Sequence, residues 1–346
     1  MGTDRTTETK RRRGGEPTGL REIAARADVS MMTVSRALRG IDGVSEPVRR
    51  RILTLADELG YVPNGNARAL AQTNSRLIGI SLPNFDNDVF GDILSGMRRT
   101  LHGAGYSSVV DTTDYDPARE RDWVERMRVW RPAALVLTGC LHDPALRPLL
   151  AGGRMPVVEI WDATEDPIDL CVGLDHHAAG RDLGRHIVGL GYRNPAFVGP
   201  PAGLDPRADA RLAGLAQAFA AAGLAMDRIA AAGDSAFAAG RDGFDRLDRR
   251  ALPDVVFFHN DNTAFGGMMA AAAAGLDVPR DIGVVGFNHL ALSRVLPVPL
   301  TTLETPRRRI GELAAQHLLA RLAGVRVPPV TSLPCRLVHG GTTRPQ

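Results

Sequence analysis

The stretch Leu20-Arg-Glu-Ile-Ala-Ala-Arg-Ala27-Asp28-Val29-Ser30-Met31-Met-Thr-Val-Ser-Arg-Ala-Leu38 carries two apolar stripes of helical spacing separated by a short break. Leu20, Ile23, Ala24 and Ala27 fall on one helical face, and Val34 and Leu38 share another at i and i+4. Between them, Asp28 tolerates a left-handed backbone better than most residues, and Ser30 can cap the second helix. Two short helices joined by a tight turn, with small alanines where they cross, form a helix-turn-helix pattern. A third helix is expected from Ser45-Glu46-Pro47, which supplies a serine cap, an acidic first turn and an early proline. It runs through Val48, Ile52, Leu55, Ala56 and Leu59 and stops at Gly60.

These apolar positions would suit a purely structural three-helix bundle equally well. Two observations favour contact with nucleic acid. Met31, Met32, Ser35 and Arg36 are left facing outward, and residues 1–75 hold 13 Lys/Arg against 9 Asp/Glu, where the remainder holds 29 and 30. The run Lys10-Arg11-Arg12-Arg13 alone could be a solvated tail. On the second helix, Arg36 can fork onto a guanine, Met31 and Met32 offer shape and thymine-methyl contacts, and Ser30, Thr33 and Ser35 suit phosphate oxygens.

The whole chain has 346 residues, enough for two or three modules. With 44% hydrophobic and 23% charged residues, it has ordinary globular composition, which excludes a wholly disordered or fibrous protein. No uncharged apolar run approaches the roughly eighteen residues of a membrane span. The N-terminal charges are not followed by an apolar core, so no secretory signal is read and a cytoplasmic protein is expected. Cys140, Cys171 and Cys335 are too few and too scattered for a disulfide framework or a paired metal motif.

Asp28-Val29-Ser30-Met-Met-Thr33-Val34-Ser35-Arg36, then Val44-Ser45, then Leu59-Gly60-Tyr61-Val62-Pro63-Asn64 resemble the LacI family of bacterial transcription repressors, and the likeness runs along almost the whole chain. The resemblance implies that Met31, Met32 and Arg36 read bases. It implies phosphate contacts for Ser30, Thr33, Ser35 and Ser45, and backbone contacts beside a hinge for Tyr61 and Asn64. Asn64-Gly-Asn-Ala67-Arg-Ala-Leu70-Ala71 would be the hinge helix, with Ala67 and Leu70 at the DNA and Leu70 wedged into the minor groove. Eight residues with an internal glycine are too short to stay helical alone, so such a segment should order only on DNA. A plain polar linker would look similar in the absence of DNA.

From Arg76 onward, apolar runs alternate with helical stretches. Strands are expected at Leu77–Leu82, Ser107–Asp111, Ala134–Thr138, Val157–Ile160, Ala196–Gly199, Val255–His259 and Gly283–Phe287. Helices are expected between most of them, for instance Asp92–Gly103, Arg119–Val129, Ala178–Leu190 and Arg211–Ala222. This succession gives parallel sheets with covered faces, and about 270 residues suggests two subdomains with a ligand crevice at the strand carboxyl ends. The expected fold class is therefore α/β: an all-α helix-turn-helix domain followed by a periplasmic-binding-protein-like effector domain of two parallel α/β subdomains. The expected division is a basic tail at 1–17, the DNA-binding domain at 18–63, a hinge or linker at 64–75 and the effector and dimerisation domain at 76–340.

No phosphate loop, nucleophile elbow or zinc motif appears, so no enzyme, catalytic residue, cofactor or metal site is expected. His176-His177 are adjacent and share no helix face, which leaves them as solvated or helix-start residues. Trp123 and Trp130, seven apart, are expected on one core-facing stripe. For the effector site, the family resemblance implies Arg211 as ligand anchor and Asn260-Asp261 as a contacting pair. It also places Phe90 at an apolar wall, Trp161 and Asp162 at the subdomain crossover, and Asn288 where many members carry an aspartate. Loss of that carboxylate favours an anionic ligand, with Arg207 as a further candidate or a mere helix end. Asn87-Asp-Val-Phe90, Pro156–Asp162 and Val172-Gly-Leu-Asp175 resemble the gluconate-operon branch, which implies gluconate or a related sugar acid as effector. A neutral sugar or nucleoside keeps the same class, and a solute-binding protein is the rival class. The implied partners are a palindromic operator and a second copy of the chain, as a homodimer; no membrane partner is implied.

Overall fold

The computed structural model describes residues 19–61, 75–85, 88–151 and 155–345, whose contacts divide the chain into two units at Thr73/Asn74. Asn64, Ala67 and Leu70, the tail 1–17 and nearly all of the expected hinge lie outside the described residues.

In the first unit, α1 (Leu20–Ala27), α2 (Met31–Leu38) and α3 (Glu46–Glu58) enclose Ile23, Val34 and Ile52. Ala24, Ala27, Ala37 and Ala56 fill the crossings, where larger side chains would hold the helices apart. Asp28 takes φ 50°, the left-handed stop that the turn requires, and Ser30 Oγ accepts from the Thr33 N–H at 3.1 Å. Ser45 stands before α3, but its hydroxyl makes no capping bond. Arg49 donates to the carbonyls of Ala37 at 3.2 Å and Ile41 at 2.8 Å, satisfying acceptors that the end of α2 leaves open.

The second unit has two lobes. The first lobe carries β1 (Leu77–Leu82), β2 (Ser107–Thr112), β3 (Ala134–Thr138), β4 (Val157–Asp162), β5 (Leu170–Leu174) and, from far along the chain, β11 (Val330–Ser332). They form a parallel sheet in the order β11-β5-β4-β3-β1-β2. The second lobe holds β6 (Pro195–Gly199), β7 (Asp227–Ala230), β8 (Val255–Phe258) and β9 (Gly283–Val285), parallel in the order β7-β6-β8-β9. Beside it lie β10 (Thr302–Glu304) and β12 (Arg336–Val338), paired antiparallel. The helices are α4 (Asp88–Gly103), α5 (Pro117–Val129), α6 (Leu146–Leu150), α7 (His176–Gly189), α8 (Pro206–Ala220), α9 (Ala236–Asp245), α10 (Asp261–Ala273) and α11 (Arg307–Leu322). The chain crosses between lobes three times: after β5, between β10 and α11, and between β11 and β12.

Strands β5, β7, β10, β11 and β12 are additions to the sequence expectation, while α7 and α8 each begin earlier than expected. The earlier start of α8 matters for function, because it places Arg207 in the first turn and Arg211 deeper in the helix. Trp123 is buried as expected, but Trp130 is exposed, because α5 ends at Val129 and Trp130 becomes its cap. Helices α7 and α8 cross at Gly180 and Gly214. A Cβ on the first would lie 2.2 Å from the Arg211 carbonyl oxygen, and one on the second 2.0 Å from that of His177, so only glycine permits this approach. No described helix is long and apolar enough to cross a membrane.

Candidate functional site

The outward face of α2 combines exposed apolar surface with charge. Met31 is 50% exposed and Met32 69%, and Arg36 is exposed beside them. Two methionines left in water on so small a unit mark a contact surface. The hydroxyls of Ser30 and Thr33 lie 2.9 Å apart at the helix start, Ser35 is half-buried and Ser45 exposed, while Tyr61 packs partly against the bundle core. Arg26 is paired with Glu22 at 3.0 Å, and Arg39 Nε donates to the Ser35 carbonyl at 3.0 Å. Arg36 makes neither kind of bond among the described residues and is available for a base edge.

Between the lobes of the second unit lies a cavity of about 570 Å³. Its first-lobe wall comes from residues at or just beyond strand ends (Pro83, Thr113, Asp114, Tyr115, Asp116, Thr138, Leu141, Asp162) and from Glu120 of α5. The second-lobe wall is Pro200, Leu204, Asp205, Arg207 and His259. Asp114 and Tyr115 adopt φ 51° and 61°, left-handed values uncommon outside glycine.

A chain of polar contacts starts at the wall and runs inward. Arg207, with its side chain 15% exposed, donates Nε–H to Asp162 Oδ1 at 2.6 Å, and its Cζ stands 5.7 Å from the centre of the Tyr115 ring. Its Nη1 and Nη2 groups make no hydrogen bond among the described residues. Asp162 also lies 3.2 Å from His176 Nε2. Burial alone would raise the Asp162 carboxyl, but Arg207 and His176 outweigh it and hold the group at about 2. Arg211 Nη1 donates to His176 Nδ1 at 3.1 Å, and Nη2 donates to the His259 carbonyl at 3.0 Å. An accepting Nδ1 leaves the His176 proton on Nε2 and the ring neutral. In agreement, burial foremost pulls His176 below the usual imidazole value, and burial followed by Arg211 takes His259 to about 4. The Arg211 guanidinium lies 4.4 Å over the Phe287 ring, and edge contacts link Phe90 to Trp161 at 6.3 Å and Trp161 to His176 at 5.6 Å.

Of the effector residues expected from sequence, Asp162 lines the cavity. Trp161, Phe90 and Arg211 form the buried layer behind it, and Arg211 is already engaged by His176 and His259. Three further expected residues make contacts within the second lobe. Asn260 caps α10, accepting from Thr263 N–H at 2.9 Å. Asp261 is fully buried, accepting from Thr302 Oγ1 at 2.7 Å and Leu290 N–H at 2.6 Å, and burial pushes its carboxyl up to about 7. Asn288 turns its amide oxygen to Thr305 Oγ1 at 3.4 Å. All three satisfy polar groups at a helix start or strand edge, and the cavity wall described above does not include them. His176, set aside above as solvated or as a helix start, does start α7 but is buried in the polar chain. Arg207 is both a helix-start residue and the arginine nearest the cavity. Tyr115, Glu120, Asp205 and His259 were missed. Three of these lie at or near strand carboxyl ends, and that rule of α/β sheets could have found them. Among the described residues, no group of three or more His, Cys, Asp or Glu could hold a metal.

The chain matches the model for bacterial regulatory proteins of the lacI family over residues 19–64 and a periplasmic binding protein-like domain over residues 185–343. It is 35% identical over 312 residues to the HTH-type transcriptional regulator GntR of Escherichia coli K12, spanning 90% of this chain and 93% of that protein. Among solved structures, a LacI-family transcriptional regulator from Silicibacter pomeroyi aligns with a TM-score of 0.86 and 36% identity, covering 94% of this chain and 99% of the other. The lac repressor dimer bound to operator and the anti-inducer ONPF aligns with a TM-score of 0.79 and 26% identity over 95% and 99%. With its three-helix reading head, its two-lobed parallel α/β unit and this similarity along nearly its full length, the chain belongs to the LacI family of DNA-binding transcriptional regulators.

Proposed function

We propose that this regulator represses genes of carbohydrate use in the cytoplasm by binding a palindromic operator as a homodimer, and that a sugar acid such as gluconate, held between the lobes, sets its grip. The exposed Met31, Met32 and Arg36 support operator reading, with Ser30, Thr33, Ser35, Ser45 and Tyr61 as phosphate contacts. The hinge contacts Asn64, Ala67 and Leu70 stay part of the proposal. An apolar groove of about 430 Å³ supports the second copy; it is lined by Phe237, Phe265, Met269, Leu292 and Leu296.

The observation that carries the ligand class is Arg207. Its Nε is spent on Asp162, while its two terminal nitrogens remain open among the described residues, the arrangement that a carboxylate can bridge in bidentate fashion. Arg211 then supports the site from behind. Since Asn288 faces Thr305, the missing carboxylate at that position bears on the ligand only indirectly. Asp114, Asp116 and Asp205 on the same walls favour a neutral sugar as the second reading. However, the positive starts of α5 and α8 offset the charges of Asp116 and Asp205, which cap them, and Arg119 offsets that of Asp114. Lobe closure on a ligand would act through the three crossovers, and operator and effector affinities would then be linked reciprocally.

The test is operator selection followed by DNA-binding titrations with and without gluconate. Wild type should change its operator affinity when the acid is added. Arg36→Ala should lose sequence preference yet keep the ligand-induced rise in melting temperature. Arg207→Ala should bind DNA but ignore the acid. A normal response in Arg207→Ala would reject the anchor, and no preference of wild type for any duplex would reject the function.

A further inference from the structure

Behind the first-lobe wall, four polar side chains form a chain almost closed to solvent. Ser81 Oγ donates to Glu120 Oε1 at 3.2 Å, and Glu120 Oε2 lies 2.5 Å from His142 Nδ1. His142 Nε2 lies 3.1 Å from Glu159 Oε1, and Glu159 Oε2 accepts the Ile168 N–H at 2.6 Å. The side chains of Glu120, His142 and Glu159 are 7%, 8% and 1% exposed. Both nitrogens of the ring face carboxylate oxygens, which can only accept, so both nitrogens donate and the ring is an imidazolium. Two carboxylates therefore share one cation, and the group keeps a net negative charge.

Burying such a charge is costly, and well-packed apolar side chains would fill the same space at less cost. Of the three, only Glu120 reaches the cavity. It stands on the first lobe, while Arg207 with its open donors stands on the second. The cavity thus has one end suited to an anion and another suited to hydrogen-bond donors. His142 and Ser81 hold the carboxylate in place, so Glu120 cannot turn away from what approaches it.

We infer that Glu120 is a specificity-determining residue: it accepts hydrogen bonds from the hydroxyl end of a sugar acid whose carboxylate meets Arg207, and it excludes the aldarate of the same skeleton, whose second carboxylate would face it. This assignment rests on the sugar-acid reading above. It turns that reading into a polarity for the ligand, and it gives His142 a positioning role.

Gluconate and glucarate differ only in whether the sixth carbon is a hydroxymethyl or a carboxylate, so calorimetric titration of the full-length protein with each isolates the effect. Wild type should bind gluconate at least about tenfold more tightly than glucarate, since like charges brought together in a buried site are strongly disfavoured. Glu120→Gln, which keeps the shape and removes the charge, should bring the two within about twofold, mainly by gaining glucarate. The wild-type ratio needs no variant: equal binding of both acids overturns the assignment while leaving the sugar-acid reading intact. An unchanged ratio in folded Glu120→Gln overturns it equally. Binding of neither acid by protein that still holds operator overturns the sugar-acid reading, and the assignment with it.

Discussion

Replacing Gly214 by alanine tests how closely the effector lobe depends on the crossing of α7 and α8. The new Cβ would stand 2.0 Å from the His177 carbonyl oxygen and 2.6 Å from the Arg181 nitrogen, where ordinary contact begins near 3.4 Å. The helices must part by about 1.4 Å, or α8 must shift along its axis. Overpacking of this kind costs about 1–3 kcal/mol. The same movement stretches the 3.1 Å bond from Arg211 to His176 beyond bonding range, and a buried charge-assisted bond adds roughly 1.5–3 kcal/mol. A loss of about 3–5 kcal/mol lowers the melting temperature of a domain this size by on the order of 10 °C. Gly189→Ala is the control, since it lies in α7, the other helix of the crossing, and its Cβ would meet nothing within 4 Å. That variant should be neutral or slightly stabilising. The assay is thermal unfolding by calorimetry. A Gly214→Ala protein melting within about 2 °C of the control would refute the argument that bare glycine backbones set this contact.

Burial opposes the charge on His142, but hydrogen bonds to Glu120 and Glu159 raise its pKa from 6.5 to about 9. A raised folded value means that the stabilisation is complete below pH 6.5 and is lost as pH climbs through 9, a change of up to about 3 kcal/mol. Urea unfolding of wild type and His142→Asn, run near neutral pH and again above the folded value, should show the gap in stability narrowing by that order. A gap independent of pH would remove the imidazolium. Met269→Asp places a charge on a side chain 61% exposed at the apolar groove. It should leave the melt close to wild type, convert a dimer into monomers in sedimentation, and weaken operator binding. A dimer that persists would move the proposed interface elsewhere.

The DNA-reading helices could be read nearly residue by residue, because each signal is local: Asp28 at the left-handed turn, Ser30 at the cap, Val34 inward and the two methionines outward. The strands that the sequence failed to show have non-local causes. β10, β11 and β12 are three residues each and exist through partners distant in the chain, so no alternating pattern announces them. In the cavity, likeness to a family points to positions but not to the direction of their side chains, and Asp261 and Asn288 turn toward the edge of the second sheet. The adjacency of His176 and His177 argued correctly against a shared helix face but carried no information on burial, which depends on α8 lying against α7. His142, Glu120 and Glu159 come from a loop, a helix and a strand, and only the assembled first lobe brings them together.

The pairing of Val330 with Cys171 has a consequence for the order in which this protein can mature. The outer strand of the first sheet is supplied by a segment made long after β5, and so is α11, which covers α4. Until those residues emerge, β5 presents an unpaired hydrogen-bonding edge to the cell, the kind of surface that templates unwanted association. The nascent chain must therefore wait for α11 and β11 before the first lobe can close. A premature stop in this region would be expected to yield aggregate, with no half-functional regulator left in solution.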